Sequence, residues 1–410
     1  MEIYSVGGSV RDALLGKIVS DHDYVVVGAR PEDLLALGYK PVGKDFPVFL
    51  HPETHAEYAL ARTEKKHGRG YHGFVFHTGE DVTLEEDLAR RDLTINAMAR
   101  AADGRLIDPF NGQADLKNRV LRHVGSAFGE DPVRLLRLAR FAARFGDFSI
   151  APETMLLMQR MVEAGEIDHL VPERVWQEIA RGLMEANPER MFTVLRESGA
   201  LARLLPEIDA LFGVPERADF HPEGDAGLHT LLVLQAAARM QLSLPARFAA
   251  LTHDLGKATT PAEILPHHYE HEKRGLPPLL ALCQRLKVPV DCRELARMTM
   301  AQHGRIHNVI GASALTPATM VTTLEACDFR RRPERFLEML LVCEADSRGR
   351  EGYDAAPYPQ AEIWRTAISV CRAVDDAAIA ATVSSKSDIP ARLHAARVAA
   401  VRAALFPQET

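Results

Sequence analysis

No stretch of the chain approaches roughly eighteen consecutive apolar residues, so a transmembrane helix is not expected. The opening residues, MEIYSVGGSVRD, carry an acid at position 2 and lack an apolar run behind a basic start, so they do not read as a secretory signal. The expected compartment is cytoplasmic. Cysteine is sparse: Cys283, Cys292, Cys327, Cys343 and Cys371 are widely spaced and include no CxxC pair. That argues against a disulfide framework or a thiolate zinc site and leaves them as reduced packing residues. An excess of positive charge is also missing. With 49 basic against 56 acidic residues the net charge is −7, so nothing global announces nucleic-acid binding. Low-complexity tracts and fixed-period repeats are absent too.

What is present is a 410-residue chain, 47% hydrophobic and 26% charged, long enough for about two to four domains. Its first 120 residues alternate β-branched or aromatic runs with turns: IYSV at 3–6, DYVVV at 23–27, FPVFL at 46–50, EYALA at 57–61 and GFVF at 73–76. With segments 8–15 and 85–100 read as helices, this predicts a small mixed sheet. After residue 130, Leu, Ala and Arg at helical spacing dominate, broken by Pro and Gly, which predicts an all-helical remainder. The fold class is therefore α+β, a mixed-sheet head followed by helical units. Turn-rich segments at 213–227 and 349–361 are the best boundaries, and the expected divisions are 1–125, 126–225, 226–350 and 351–410.

Gly7-Gly8-Ser9-Val10-Arg11-Asp12 follows a strand and opens a helix, so its glycines can bring backbone N–H groups close to a phosphate, or simply make a tight turn. About a dozen residues later Asp21 and Asp23 flank His22, and strand periodicity puts both carboxylates on one face. Magnesium seeks carboxylate oxygens beside phosphate oxygens, so the combination favours a metal site. From 117 to 144, seven basic residues stand against two acids. Arg134, Arg137, Arg140 and Arg144 fall within an arc of about 120° on a helix. They form either a solvated face or an anion-binding strip. In the C-terminal half, the adjacent His253-Asp254 pair followed by Leu-Gly-Lys suits a divalent transition metal.

GGSVRDALLG, DHDYVVVG, RRDLTINAMA at 90–99, DPFNG at 108–112 and EDPVRLLRLARF at 130–141 together resemble the class II tRNA nucleotidyltransferases, the CCA-adding enzymes. The His-Asp segment extends the resemblance to the bacterial form with an HD phosphohydrolase domain, so it covers most of the chain. The resemblance implies template-independent addition of C, C and A to the acceptor end of tRNA from CTP and ATP, with release of pyrophosphate. It makes Asp21 and Asp23 the Mg2+ ligands, and Gly8, Arg11, Arg91, Arg137 and Arg140 the triphosphate contacts. Asp131 and Arg134 become the base-reading pair. Asn96 orients the sugar or caps local backbone, and Arg91 either meets phosphate or pairs with Asp92. VPERVWQEIARGL resembles the helical neck, where Glu173, Arg174 and Glu178 brace the base-reading helix or form surface pairs. Residues 62–77 form a mobile loop taking part in the C-to-A switch, or an ordinary hairpin.

The HD resemblance adds His229 and Asp346 to His253 and Asp254 as metal ligands, with His271 and His303 as further ligands or phosphate contacts. It implies metal-dependent 2′,3′-cyclic phosphodiesterase, 2′-nucleotidase and phosphatase action, and nickel as the ion, although spacing alone does not choose nickel over manganese or cobalt. The implied assembly is a monomer or a homodimer without membrane attachment.

The base-reading pair has a physical rationale. Cytosine and adenine both present an exocyclic amino donor beside a ring-nitrogen acceptor, which a carboxylate and a guanidinium complement. Guanine and uracil would set acceptor against acceptor and donor against donor, a mismatch worth roughly 10⁴-fold in a buried site. The nearest rival, a bacterial poly(A) polymerase, is disfavoured by GKDFPVFL where a basic GRRF segment is typical, by the lack of a strongly basic tail and by the HD unit. A tRNA-binding chaperone with spent sites, or an HD hydrolase with a regulatory nucleotide-binding head, would carry no nucleotide into RNA.

Overall fold

The structure is a computed structural model that describes residues 1–19, 22–42, 48–66, 74–310, 314–383 and 385–406. The chain divides into two compact units, Met1–Gly182 with Arg190–Leu204 and Leu183–Glu189 with Leu205–Thr410.

Among the described residues the first unit holds eleven strands, the first nine of them β1 (Glu2–Val6), β2 (Asp23–Val27), β3 (Lys40–Val42), β4 (Val48–Leu50), β5 (Glu57–Leu60), β6 (Arg62–Lys66), β7 (Phe74–Thr78), β8 (Ala99–Ala101) and β9 (Leu106–Ile107). Seven of them form one mixed sheet in the order β3-β4-β5-β2-β1-β8-β9, parallel only between β2 and β5. Period-two alternation explains its two cores. Tyr4, Val6 and Val25 pack with Leu88 and Ala99 in one, and Val26 packs with Leu34, Phe49 and Leu60 in the other. β6 and β7 pair as an antiparallel hairpin, the second of the two readings of that segment; residues 67–73 lie outside the described residues.

The helix expected over 85–100 is shorter. It runs Leu84–Ala89, capped by Thr83 with Glu86 reaching back, and is followed by a single 3₁₀ turn, Thr94–Asn96, before β8. The reason is local. The Asp92 carboxylate accepts from Leu93 N and Asn96 Nδ2 at 2.8 and 2.9 Å, and Ala99 joins the β1 ladder. A second departure is the two-residue strand Ser149–Ile150, parallel to Val120–Leu121 inside the region expected to be all helix.

The second unit is helical. Ala226–Arg239, Leu244–Thr252, Val290–His307 and Pro333–Arg348 pack against one another. Asp225 and Ser243 cap the first two, each accepting a backbone N–H from its helix's first turn. Gly256 then lets the chain after His253-Asp254 press against the start of the His271–Arg285 helix, because a Cβ at 256 would overlap the His271 carbonyl oxygen. All five cysteines are buried and free. Among the described residues, no helix is long and apolar enough to cross a membrane.

Candidate active sites

In the first unit β2 begins at Asp23, whose parallel neighbour in register is Glu57 at the start of β5, and both are exposed. Registered residues of a parallel pair lie on the same side of a sheet, so Glu57 is a second carboxylate on that face. Sequence spacing gave no hint of it. Asp21 lies outside the described residues. The exposed carboxylate of Asp23 is the hard oxygen donor that magnesium prefers, so this end of the strand fits that ion.

The glycine requirement falls on Gly7 rather than Gly8. Gly7 has φ +69°, and a Cβ there would sit 2.9 Å from Arg91 Nη1, whereas the nearest atom to a Cβ on Gly8 is Arg11 Nη2 at an ordinary 3.6 Å. Gly8 opens the Gly8–Leu14 helix, so close backbone approach to a phosphate is the one ground left for singling it out.

The arginines expected to meet phosphate are each held by a carboxylate. Arg11, buried, donates from Nε and Nη2 to Asp12 at 2.8 and 2.9 Å and from Nη1 to Asn96 Oδ1 at 2.5 Å. Arg144 Nη2 reaches the same Asp12 at 2.9 Å. Arg91 contacts Asp87 at 3.2 Å instead of its neighbour Asp92, which receives Arg137 Nε at 2.8 Å. Arg140 Nε donates to Glu178 Oε2 at 2.7 Å, with both residues buried. On the Val133–Arg144 helix every residue but Arg137 and Arg144 is buried, so the arginine row is not a solvated face.

The two residues expected to read the base are anchored as well. Asp131 accepts from Arg174 Nη2 at 2.9 Å and from Val133 N at 3.1 Å, while Arg134, also buried, donates from Nη1 to the Ala127 carbonyl at 2.8 Å. Of the three neck residues, Arg174 and Glu178 therefore brace this helix, and Glu173 is exposed. Asn96 links Arg11 to Asp92 by side-chain bonds.

Burial alone would raise the Asp92 carboxyl, but the Arg137 charge and the bonds from Asn96 and Leu93 N outweigh it and hold the pKa at about 2. A depressed carboxyl stabilises the fold above its unfolded pKa, near 3.8, and that contribution is lost as pH falls toward 2. Asp92→Asn should remove about 2 kcal/mol of this acid dependence, read as a flatter stability profile between about pH 4 and 2.

The second unit gathers its predicted residues more tightly. His229 Nε2 lies 3.0 Å from Asp346 Oδ1 and 4.0 Å from Asp254 Oδ2, while His253 Nε2 lies 3.0 Å from Asp254 Oδ2 and 3.8 Å from Asp346 Oδ2. Asp254 Oδ1 turns to His271 and His303, whose Nε2 atoms are 3.3 and 3.5 Å from it and 2.9 Å from each other. All six candidates are thus brought together. His253, His271 and His303 each point Nδ1 at a backbone carbonyl, those of Ala250, His268 and Thr299, at 2.8–3.0 Å. In the neutral ring Nδ1 must then carry the proton, which leaves a lone pair on Nε2. His253 Nε2 and Asp254 Oδ1 are buried without a hydrogen bond. Converging lone pairs on imidazole nitrogens and carboxylates are what a divalent transition ion satisfies, so these residues fit such an ion.

Electrostatics agree. Burial opposes ionisation of Asp254 and Asp346, yet His253 and Lys257 at the first, and His307 and His253 at the second, hold both carboxyls well below the usual range. Four residues complete the site that were not among the expected site residues, although Lys257 belongs to the Leu-Gly-Lys that follows His253-Asp254. Glu223 stands 2.7 Å from His229 Nδ1, Lys257 Nζ 2.8 Å from Asp254, and His307 Nε2 2.7 Å from Asp346, with Tyr358 Oη 3.0 Å from His307 Nδ1. Lys257 and His307 follow recognised residues at helical spacing, Asp254 by three and His303 by four, a signal that was there to be used. Glu223 and Tyr358 carried none.

Three family profiles match successive stretches of the chain: a poly A polymerase head domain over residues 3–122, a probable RNA and SrmB-binding site of polymerase A over 147–212, and an HD domain over 227–347. The multifunctional CCA protein of Dechloromonas aromatica is 61% identical over 402 residues, which cover 98% of this chain and 97% of that protein. That of Chromobacterium violaceum is 62% identical and covers 98% of each. Among solved structures, the Bacillus stearothermophilus CCA-adding enzyme in complex with CTP shares 24% identity and a TM-score of 0.64, covering 98% of this chain and 89% of that one. The fold is shared with it, and the near-complete match to curated relatives makes this chain a member of the multifunctional CCA protein family.

Proposed function

We propose that the chain adds C, C and A to the 3′ end of tRNA from CTP and ATP, and hydrolyses phosphoesters at a second, metal-dependent centre in its HD domain. The observation that carries the first activity is the set of guanidinium groups on Arg11, Arg91, Arg137 and Arg140, each already oriented by a carboxylate. Donors fixed before substrate arrives need no reorganisation when charge develops on a transferring phosphoryl group. In this reading they hold the triphosphate while the RNA 3′-oxygen attacks the α-phosphate and pyrophosphate leaves. Asp21 and Asp23 would hold magnesium, which supplies charge neutralisation at that phosphorus. Asp131 and Arg134 read the base, and residues 126–225 carry the acceptor end. Identity of about 61% to multifunctional CCA proteins supports the same reading.

For the HD site, His229, His253, Asp254 and Asp346 would hold the ion, nickel being compatible with such donors, and His271 with His303 a second ion or the phosphate. The activity is that of a 2′,3′-cyclic phosphodiesterase, 2′-nucleotidase and phosphatase working on tRNA 3′ ends. The buried lone pairs of His253 and Asp254 support it. We place the protein in the cytoplasm, as a monomer or homodimer.

The deciding experiment supplies tRNA lacking its terminal nucleotides with labelled CTP, ATP, GTP and UTP. Two C and one A are expected, with GTP and UTP rejected by about 10⁴-fold. Long A tails, or A addition without any need for CTP, would replace this reading by the poly(A) polymerase one.

A further inference from the structure

His307 is wired in the opposite sense to His253, His271 and His303, which turn Nδ1 to backbone carbonyls. Its Nε2 lies 2.7 Å from Asp346 Oδ2, and a carboxylate that is to hold a metal can only accept a hydrogen bond. Nε2 therefore carries the proton. In the neutral ring Nδ1 is left with the lone pair, and Tyr358 Oη stands 3.0 Å from it. A phenol is protonated near neutral pH, so Tyr358 donates and the bonds run one way, from Tyr358 through His307 to Asp346. Both ring nitrogens are thereby spent, which removes His307 from the candidate metal ligands. Its effect falls on Asp346. Oδ2 is tied to His307, while Oδ1 faces His229 Nε2 at 3.0 Å.

Tyr358 comes from a different stretch of chain than the rest of the site. The HD profile ends at residue 347, and Tyr358 falls in the turn-rich segment expected to separate the HD unit from a C-terminal tail. Yet it is only 8% exposed, and its ring meets His307 edge-on at 5.7 Å. The helix that follows, Gln360–Ala373, is anchored beside the same histidine: the fully buried Trp364 donates from Nε1 to the Ile306 carbonyl at 3.2 Å. Two separate bonds thus hold this segment against the last turn of the Val290–His307 helix. We propose that Tyr358 is a positioning residue of the metal centre, locking His307 in the Nε2–H form that fixes Asp346, so that chain beyond the HD profile completes the site. The inference rests on the metal-dependent reading of that site. Outer partners of this kind orient the ligand they touch, and their loss lowers metal affinity by about 10–100-fold.

The test measures uptake of nickel, or failing that manganese or cobalt, by the full chain in equilibrium dialysis, with excess Mg2+ occupying the head. Tyr358→Phe removes one hydroxyl, keeps the ring and should weaken binding by about ten-fold. His307→Ala should weaken it at least as much. His307→Gln, whose amide donates to Asp346 without help from Tyr358, should recover most of that loss. In the His307→Gln background Tyr358→Phe should then change nothing, because the hydroxyl acts only through the imidazole. Tyr353→Phe, an exposed ring of the same segment, should bind as the parent does. Parent-like affinity in Tyr358→Phe would overturn the proposal, and so would an equal loss in both backgrounds, which would show that the hydroxyl merely packs. A parent protein that takes up none of the three ions would overturn it together with the metal site. If an ion binds but a 2′,3′-cyclic phosphate is not hydrolysed, it is the hydrolase reading that fails, and the dialysis alone upholds or rejects the role of Tyr358.

Discussion

Asp23→Ala should lower CMP and AMP addition by on the order of 10³-fold while hydrolysis of a 2′,3′-cyclic phosphate proceeds at the parent rate, and His253→Ala should do the reverse. The asymmetry follows from where the donors stand. Asp23 opens a strand of the first unit, His253 is buried in the second, and the two units are separately compact. Removing Asp23 takes away one hard oxygen ligand from the place where phosphate and ribose would meet. Removing His253 takes away one of the converging lone pairs and leaves Asp254 Oδ2 with Lys257 at 2.8 Å and His229 at 4.0 Å. Parallel assays on one preparation decide the matter. Loss of both activities from either change, in a protein whose circular dichroism is unaltered, would mean that a single site serves both reactions.

Glu178→Ala should destabilise the first unit by about 3–5 kcal/mol, because it deletes the carboxylate that neutralises a buried guanidinium. Arg174→Ala, whose partner Asp131 is part-exposed, should cost under about 1 kcal/mol by the same measure. The chain has two tryptophans, Trp176 in the first unit and Trp364 in the second. Urea unfolding of single-tryptophan variants therefore reads the units apart, and only the Trp176 transition should move. Equal costs for the two substitutions would show that burial of the Arg140–Glu178 pair contributes nothing beyond a surface ion pair.

What could be read in the sequence depended on the range of the interaction. The valines of DYVVV alternate with the strand's own period, so β2 and its two-sided burial were visible from five residues. The Val133–Arg144 helix was legible for the same reason, but the fate of its arginines was not. Whether Arg140 is solvated or buried depends on Glu178, 38 positions away, and the Arg137 partner is Asp92, 45 positions back. Short pieces of sheet also escaped notice: β8 and β9, three and two residues long, exist because β1 offers an edge to β8 and β8 in turn offers one to β9. In the HD site the His253-Asp254 pair was recognisable as a unit. Glu223 and Tyr358 sit 6 residues before His229 and 12 after Asp346, in turn-rich chain where one acid or one tyrosine carries no periodic signal.

The carboxylate-held guanidiniums have a consequence for the newly made polypeptide on the ribosome. Asp12 waits for Arg144, Asp92 for Arg137 and Arg140 for Glu178, pairs separated by 132, 45 and 38 positions. Until the chain has emerged past Glu178, the head has its sheet but not all of these pairs. A translation product cut short at the end of that sheet would carry Asp12 without Arg144 and the buried Asp92 without Arg137, so premature termination strands a carboxylate that the finished chain neutralises.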